Sequence, residues 1–290
     1  MRRCEGSAAK GCIVNSAETE PPVWPFYTDP LRLDVRGLDV AYRREGGGEP
    51  LLHLHGAVLT RRWLPFYEEL SRRVDLIAPE HPGFGDTPLP EWLDGFDDLV
   101  IHYADLLDGL GLETVHLSGH SLGAWIAAEI AVYLPERLRS LTLVCPIGLE
   151  AANLVDPFRQ EPEELQELLL NGQTQWYGEY IDDGDPTEAL VQRYSESIAH
   201  ARLAWNPRHD RKLERRLERV RCPTLVVVPD EDRYASIEQM RRYGDLIPNA
   251  RIETIHGQAR PTGHLPMIQE PVRLAEAITD FILAPTSGST

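Results

Sequence analysis

The sequence lacks the segments that would attach a protein to a membrane or export it. Its 290 residues contain no apolar run that approaches the roughly 20 residues of a membrane-spanning helix. Residues 1–10 include Arg2 and Arg3 but no apolar core after them, so we do not expect a secretory signal. These absences favour a cytoplasmic protein without a membrane partner.

Cysteine and positive charge are also scarce. The 4 cysteines form no Cys-x-x-Cys pair, which argues against a zinc site or a disulfide framework. Cys145 and Cys222 are expected at opposite edges of a parallel sheet, too far apart to bridge, so we expect reduced thiols. The 29 basic residues face 46 acidic ones, giving a net charge of −17. Nothing offsets the repulsion of phosphate groups, so nucleic acid is not an expected partner.

Alternating strand and helix patterns predict an α/β fold with a mostly parallel sheet covered by helices on both faces. From about residue 146 to 219 the strands stop, and only helical segments remain, near residues 163–170, 187–204 and 209–220. The two ends of this block adjoin the carboxyl edge of the sheet, where α/β proteins bind ligands, so we interpret the block as a lid. The predicted division is an extension without stable structure (1–25), an α/β core (26–146 and 221–284), a helical cap (147–220) and a flexible tail (285–290).

A Gly-x-Ser-x-Gly pattern lies between a predicted strand and a predicted helix. Gly119-His120-Ser121-Leu122-Gly123 follows the β-branched and apolar stretch 114–118, and a helix rich in small residues follows it. Glycines on both sides allow strand and helix to approach closely, and the helix dipole favours negative charge near Ser121. The pentapeptide alone is common, but in this setting it predicts a nucleophilic serine.

A serine nucleophile needs a base and an acid to orient the base. Residues 226–228 form a buried strand that runs into Asp230, Glu231 and Asp232, and His264 lies in the loop before the last helix. Both segments follow strands and should reach the same sheet edge as Ser121. The residues alone leave open which of these carboxylates is the acid.

These motifs together resemble the α/β-hydrolase family over about residues 30–283. The sequence contains the family's His-Gly, Pro-Gly-x-Gly, elbow and Gly-His-x-Pro motifs in the expected order; they read His55-Gly56, Pro82–Gly85, Gly119–Gly123 and Gly263–Pro266. Two departures stand out. Pro229 replaces the usual glycine of the family's Gly-x-x-Asp acid loop. The spacing of that loop implies Asp232 as the acid and Asp230 as the second candidate, with the other carboxylates solvated. The long approach 256–262 could displace His264.

The resemblance implies a serine hydrolase without a cofactor, in which Ser121, His264 and Asp232 form a catalytic triad. The oxyanion donors it implies are the backbone N–H groups of Leu122 and Ala57, with Val58 as the fallback for Ala57. The expected substrate is a small ester, lactone or thioester. The oligomeric state stays open.

Several other side chains are candidates for the substrate pocket, although packing or bracing is the competing interpretation for each. They are His55, His120, Trp125, Trp176, Tyr177 and Trp205. His81 and His102 look like ordinary surface or loop residues. A metal cluster of His53, His55 and His81 lacks supporting carboxylate or cysteine spacing, so no metal site is expected.

Three alternatives compete with an esterase. A carbon–carbon hydrolase acting on a diketone would use the same triad, although its relatives usually have a more glycine-rich oxyanion loop than residues 55–60. Epoxide hydrolases and haloalkane dehalogenases place aspartate at the elbow, so Ser121 counts against them. The third alternative, from another class, is a small-molecule binding protein with slow or no turnover.

Overall fold

A computed structural model describes residues 26–152, 154–181 and 185–284. The predicted extension (1–25) and tail (285–290) lie outside the described residues. Eight strands form one sheet in the order β1-β2-β4-β3-β5-β6-β7-β8. The strands are β1 (Leu31–Val35), β2 (Leu38–Gly46), β3 (Pro50–Leu54), β4 (Asp75–Pro79), β5 (Val115–His120), β6 (Leu138–Val144), β7 (Thr224–Pro229) and β8 (Ala250–Ile255).

The sheet is parallel except at one edge. β3 pairs in parallel with β4 and β5, and β6, β7 and β8 continue the parallel order. β1 and β2 are antiparallel, joined at Arg36-Gly37 as a hairpin, and β2 is antiparallel to β4. The predicted fold class, a mostly parallel sheet of the α/β-hydrolase type, is confirmed.

Helices follow most of the strands and pack in two groups. The helix α1 packs against α9 and α10, while α3 contacts α2 and α7, and α7 contacts α8. The helices are α1 (Pro65–Ser71), α2 (Phe96–Gly109), α3 (Leu122–Tyr133), α4 (Pro162–Leu169), α5 (Thr174–Tyr177), α6 (Pro186–Ala204), α7 (Leu213–Leu217), α8 (Ile237–Leu246), α9 (Pro266–Gln269) and α10 (Pro271–Leu283). No helix within the described ranges combines the length and the apolar composition that a membrane crossing requires.

The centre of the sheet and the helix after it are buried throughout. All six residues of β5 and all six of β7 are buried, as expected for strands covered on both faces. Every residue of α3 from Leu122 to Val132 is buried. The turn between β5 and α3 is therefore fixed on both sides by the core.

The block between β6 and β7 contains helices but no strand in the parts that the structure describes. We refer to its described residues within 147–220 as the cap. Two predicted elements differ in extent. The helix expected over 209–220 is helical only at Leu213–Leu217, because the Asp210 carboxylate accepts the Lys212 N–H and forms a turn before it. β5 extends to His120, two residues further than expected, because Gly119 and His120 still pair with β6.

Candidate active site

Ser121 occupies a sharp turn between β5 and α3. Its backbone has φ 53° and ψ −114°, a conformation that most residues avoid, and its N–H donates to Val144 O at 2.9 Å. A Cβ on Gly119 would overlap the backbone of Gly123, and a Cβ on Gly123 would overlap Leu54 O. Both glycines of the motif are therefore required for strand and helix to approach around the serine.

The three residues expected to act together are in direct contact. Ser121 Oγ lies 2.8 Å from His264 Nε2, and His264 Nδ1 lies 2.7 Å from Asp232 Oδ2. The other carboxylate oxygen of Asp232 accepts the N–H groups of Tyr234 and Ala235, both at 2.8 Å. The side chains of Asp232 and His264 are 0% and 1% exposed. The backbone thus fixes the carboxylate, and the carboxylate fixes the imidazole.

Asp230, the second candidate for the acid, has a different set of partners. Its carboxylate accepts from His256 Nδ1 at 2.5 Å, Gly257 N–H at 2.8 Å and Thr262 N–H at 3.2 Å. Burial raises the pKa of Asp230, but these hydrogen bonds outweigh it and the net pKa is lowered. Asp230 therefore holds the long approach 256–262 in a compact loop, so that this departure from the family pattern leaves His264 beside Ser121.

The cap and α9 hold the loop of His264 from outside the triad. His264 N–H donates to Leu169 O at 3.1 Å, and Gly263 N–H donates to Gln269 Oε1 at 2.7 Å. His120 Nε2 lies 2.7 Å from His264 O, which only accepts, so His120 carries its proton there. Burial holds the pKa of His120 well below its usual value. His120 is thus neutral and supports the loop of His264 through a hydrogen bond, which agrees with the bracing interpretation and not with a role in the substrate pocket.

The loop after β3 runs directly beside the elbow. A Cβ on Gly56 would lie 2.7 Å from His120 Nδ1 and 3.4 Å from Ser121 Cβ. His55 Nε2 accepts the His81 N–H at 3.1 Å, so the proton is on Nδ1 and donates to Gly56 O at 2.5 Å. In a planar trans peptide the N–H points opposite to the C=O, so Ala57 N–H points away from His55. Burial lowers the pKa of His55 to about 4, which keeps it neutral at pH 7.

Leu122 supplies a second backbone donor next to the serine. It is the first residue of α3, and the N–H groups of a first helical turn have no partner inside the helix. The partial positive charge of the helix N-terminus lies at the same place. This geometry suits a negative oxygen that develops beside Ser121.

His81 lies in the loop after β4, as expected, but the expectation that His81 and His102 are ordinary surface or loop residues is wrong about their exposure, because both are buried. His81 is 0% exposed; its Nε2 lies 2.8 Å from His55 O, and its Nδ1 contacts the Tyr103 hydroxyl. His102 is 4% exposed on α2, and burial lowers its pKa to about 4. The helical spacing of His102 from Leu106 was a usable signal, because it places the histidine on the apolar face.

The expected pocket aromatics separate into two places. Trp125 and Trp205 line one cavity of about 540 Å³, and Trp125 stacks on Phe96 with 4.1 Å between ring centroids. Trp176 is 44% exposed, and its ring lies 3.6 Å from the Arg260 guanidinium. Tyr177 is partly buried and packs against the core. The structure thus brings Trp125 and Trp205 together at a cavity that no triad residue lines, and Trp205, which is 59% exposed, lies at the surface as Trp176 does.

Sequence reasoning missed two side chains that lie beside the triad. The Tyr234 ring lies 4.6 Å from the His264 ring, and burial raises its pKa. Cys145 follows β6 with φ 47°, and its thiol lies within 4.8 Å of the nearest ligand atoms of Asp232 and His264. Burial holds the pKa of Cys145 well above its usual value. A metal would need the thiolate and would compete with the Asp232–His264 hydrogen bond, so the donor chemistry favours proton transfer over metal binding.

Fold and site together define a class of protein. Hydrolases typically combine a parallel α/β sheet with a serine at the turn after β5, an acid after β7 and a histidine after β8. The sequence profile of the alpha/beta hydrolase family matches residues 51–277, so the chain belongs to that family.

Individual relatives act on different bonds. The chain is 25% identical over 277 residues to the 2-hydroxy-6-oxo-2,4-heptadienoate hydrolase of Pseudomonas putida, covering 86% of this chain and 94% of that protein. It is 24% identical over 272 residues to mouse monoacylglycerol lipase ABHD6, covering 83% and 78% of the two chains. The structure of a thermophilic esterase from Thermogutta terrifontis superposes with a TM-score of 0.68 at 23% identity, over 88% and 98% of the two chains. The family and hydrolase chemistry are thus established, whereas the bond that is cleaved differs among relatives.

Proposed function

We propose that the protein is a serine hydrolase that cleaves a small-molecule ester, lactone or thioester through an acyl-enzyme on Ser121. One observation carries the proposal: Ser121 Oγ, His264 and Asp232 form a continuous hydrogen-bonded chain, with distances of 2.8 and 2.7 Å. A serine hydroxyl becomes a useful nucleophile when such a base takes its proton.

In the proposed reaction His264 Nε2 takes the Ser121 proton while Oγ attacks the acyl carbon. Asp232 holds the Nδ1 proton of His264 and stabilises the imidazolium. The imidazolium then gives its proton to the leaving alcohol or thiol, and the acyl-enzyme remains. A water molecule, deprotonated by His264, attacks the acyl carbon, and the acid leaves as Ser121 regains its proton.

The proposed oxyanion donors are the N–H groups of Leu122 and Ala57. Ala57 is preferred to Val58 because His55 fixes the Gly56 carbonyl and thereby directs the Ala57 N–H away from its own ring. Each such donor lowers the barrier by roughly 3–4 kcal/mol in comparable enzymes.

The burial of the site supports a substrate that is enclosed by the cap. Ser121 is 5% exposed and His264 is 1% exposed. We propose that the segment 147–220 moves as a cap to admit the substrate. Trp125 and Trp205 share a cavity that is lined by none of Ser121, Asp232 and His264, so the cavity does not support either ring as a substrate contact. The contact between Trp176 and Arg260 favours packing.

Labelling with a fluorophosphonate probe tests the nucleophile. The wild-type protein should label and Ser121→Ala should not. A wild-type protein that does not label, or a variant that labels equally, would refute the proposal and favour a binding protein with little turnover. A chain-length series of p-nitrophenyl esters, lactones and thioesters would then define the acyl group.

A carbon–carbon hydrolase is the second candidate. The specific observation in its favour is the match to 94% of the Pseudomonas putida hydrolase named above. The assay is the loss of absorbance of a 2-hydroxy-6-oxo-dienoate, compared with hydrolysis of p-nitrophenyl butyrate by the same preparation. A kcat/KM for the dienoate that is higher by tenfold or more would move the assignment to this activity.

A further inference from the structure

A carboxylate of the cap reaches two loops of the core. Glu196 lies on α6, and its Oε1 accepts hydrogen bonds from Thr60 Oγ1 at 2.6 Å, Gly85 N–H at 2.9 Å and Gln192 Nε2 at 2.7 Å. The residue is 8% exposed. A buried carboxylate is expensive unless it is hydrogen-bonded, so these three donors show a built contact and not a chance approach.

The first of the two loops is the one that carries the proposed oxyanion donor. Thr60 follows Ala57 by three residues, and its neighbours Leu59 and Arg61 have φ 67° and φ 63°. Non-glycine residues in the left-handed region cost on the order of 1 kcal/mol or more each and persist only where contacts hold them. Glu196 holds Thr60 from the cap side, and Glu80 accepts the Arg61 N–H at 2.8 Å from the core side.

The second loop, residues 83–85, fixes the position of α6. Gln192 Nε2 donates to Gly85 O at 3.1 Å, which complements the bond from Gly85 N–H to Glu196. Gly83 has φ 86°, and a Cβ there would lie 2.6 Å from the Ala199 methyl group. One face of α6 thus contacts the 83–85 loop over about two helical turns, and Glu196 is the residue on that face that also reaches Thr60.

We propose that Glu196 is a positioning residue that couples the position of the cap to the oxyanion loop, residues 55–60. With α6 in place, Glu196 fixes Thr60, and the strained Leu59–Arg61 segment in turn fixes the Gly56–Ala57 peptide. When the cap lifts, this hydrogen bond is lost, and the Ala57 donor keeps only the support of the hydrogen bond between His55 and Gly56 O. The oxyanion site is then complete only around an enclosed substrate. This inference rests on the proposed function.

A positioning role makes a kinetic prediction that a merely structural role does not. Loss of the hydrogen bond between Glu196 and Thr60 should weaken the oxyanion donor, which stabilises the transition state more than the bound substrate. We therefore expect kcat to fall while KM changes little. The matched variants are Thr60→Val, which removes the hydroxyl at nearly constant shape, and Thr60→Ser, which keeps it. Glu196→Gln keeps an acceptor oxygen, whereas Glu196→Ala removes it.

The experiment measures kcat and KM for p-nitrophenyl butyrate, together with the melting temperature, for wild type, the four variants and the double variant Glu196→Ala/Thr60→Val. Misplaced donors cost up to about 100-fold, so we expect Thr60→Val and Glu196→Ala to lose roughly 10–100-fold in kcat. Thr60→Ser and Glu196→Gln should recover most of kcat. The double variant should be no slower than Glu196→Ala, because both changes break one coupling.

A wild-type kcat for Thr60→Val, or a rise in KM alone, would overturn the inference. Additive losses in the double variant would do the same. If Glu196→Ala does not fold, the Thr60 pair still decides. Failure of the proposed function is distinguishable, because the wild-type protein itself would then neither label with fluorophosphonate nor turn over the ester.

Discussion

Replacing Asp232 with asparagine should nearly abolish hydrolysis without changing the shape of the site. One carboxylate oxygen accepts the N–H groups of Tyr234 and Ala235, and the other accepts from His264 Nδ1. An asparagine has one acceptor oxygen and one NH2 donor. Placing the NH2 against two backbone N–H groups breaks two hydrogen bonds, so the amide oxygen should stay there and the NH2 should face His264.

That orientation selects the wrong tautomer of His264. The NH2 of the asparagine needs an acceptor, so Nδ1 loses its proton and Nε2 gains one. Nε2 then cannot take the proton of Ser121, which lies 2.8 Å away. The loss of the correct tautomer in a triad costs about 10⁴-fold in kcat, or roughly 5.5 kcal/mol of barrier.

Asp230→Asn is the matched control, since Asp230 is two residues away and accepts from His256, Gly257 and Thr262. It should lower the free energy of unfolding by roughly 1 kcal/mol and leave kcat within roughly tenfold. The amide oxygen can keep both backbone N–H groups while the NH2 donates to the other tautomer of the exposed His256, so that only the charge of the acceptor is lost. Both variants are assayed on p-nitrophenyl acetate and butyrate. Loss of activity only in Asp230→Asn would refute the reasoning and make Asp230 the acid.

Three further predictions follow from the contacts. Gly56→Ala should reduce kcat by roughly 100-fold, because the new Cβ would lie 2.7 Å from His120 Nδ1 and push the oxyanion loop away from the elbow. Fluorophosphonate labelling should slow in parallel, and an unchanged labelling rate would contradict the assignment of Ala57 as an oxyanion donor. Arg216→Ala should destabilise the fold by about 2–4 kcal/mol in urea unfolding, because it leaves the 2%-exposed Glu129, 3.2 Å from Arg216, without its cation. Adding Glu129→Gln should recover most of that loss. The pKa of His102 is about 4 in the folded protein against 6.5 in the unfolded chain, so the unfolded chain binds the proton first as the pH falls. The stability that His102 contributes is therefore present above pH 6.5 and is lost as the pH falls towards 4. The loss is about 3 kcal/mol for this residue, and His102→Leu should flatten the stability curve between pH 7 and 4.5; an equally steep curve in the variant would show that His102 does not titrate as inferred.

The positions of Ser121, Asp232 and His264 could be predicted because each follows a strand. The carboxyl ends of parallel strands meet at one edge of a sheet, so topology brought three distant segments together without any knowledge of side-chain contacts. The same logic could not choose between Asp230 and Asp232, since both follow β7. The preference for Asp232 came from the spacing of the family's acid loop, and the structure places the Asp232 carboxylate, not that of Asp230, against His264.

Other parts of the site depend on contacts between distant residues. Thr60 and Glu196 are separated by 136 positions, and neither has a local signal that points to the other. His81 looks like a loop residue because it follows a strand and precedes a proline, yet the rings of His55 and Tyr103 enclose it. The shortened helix at Leu213–Leu217 reflects the side chain of Asp210, which competed with a helical pattern for the backbone N–H groups.

The burial of Ser121 sets a thermodynamic condition on substrate affinity. A substrate binds only the fraction of molecules whose site is accessible, so the apparent dissociation constant equals the intrinsic one divided by that fraction. An accessible fraction of about 1% weakens apparent binding roughly 100-fold, which corresponds to about 2.7 kcal/mol. The labelling rate of a reactive probe should then reach a plateau as its concentration rises, and the plateau would measure how often the site becomes accessible.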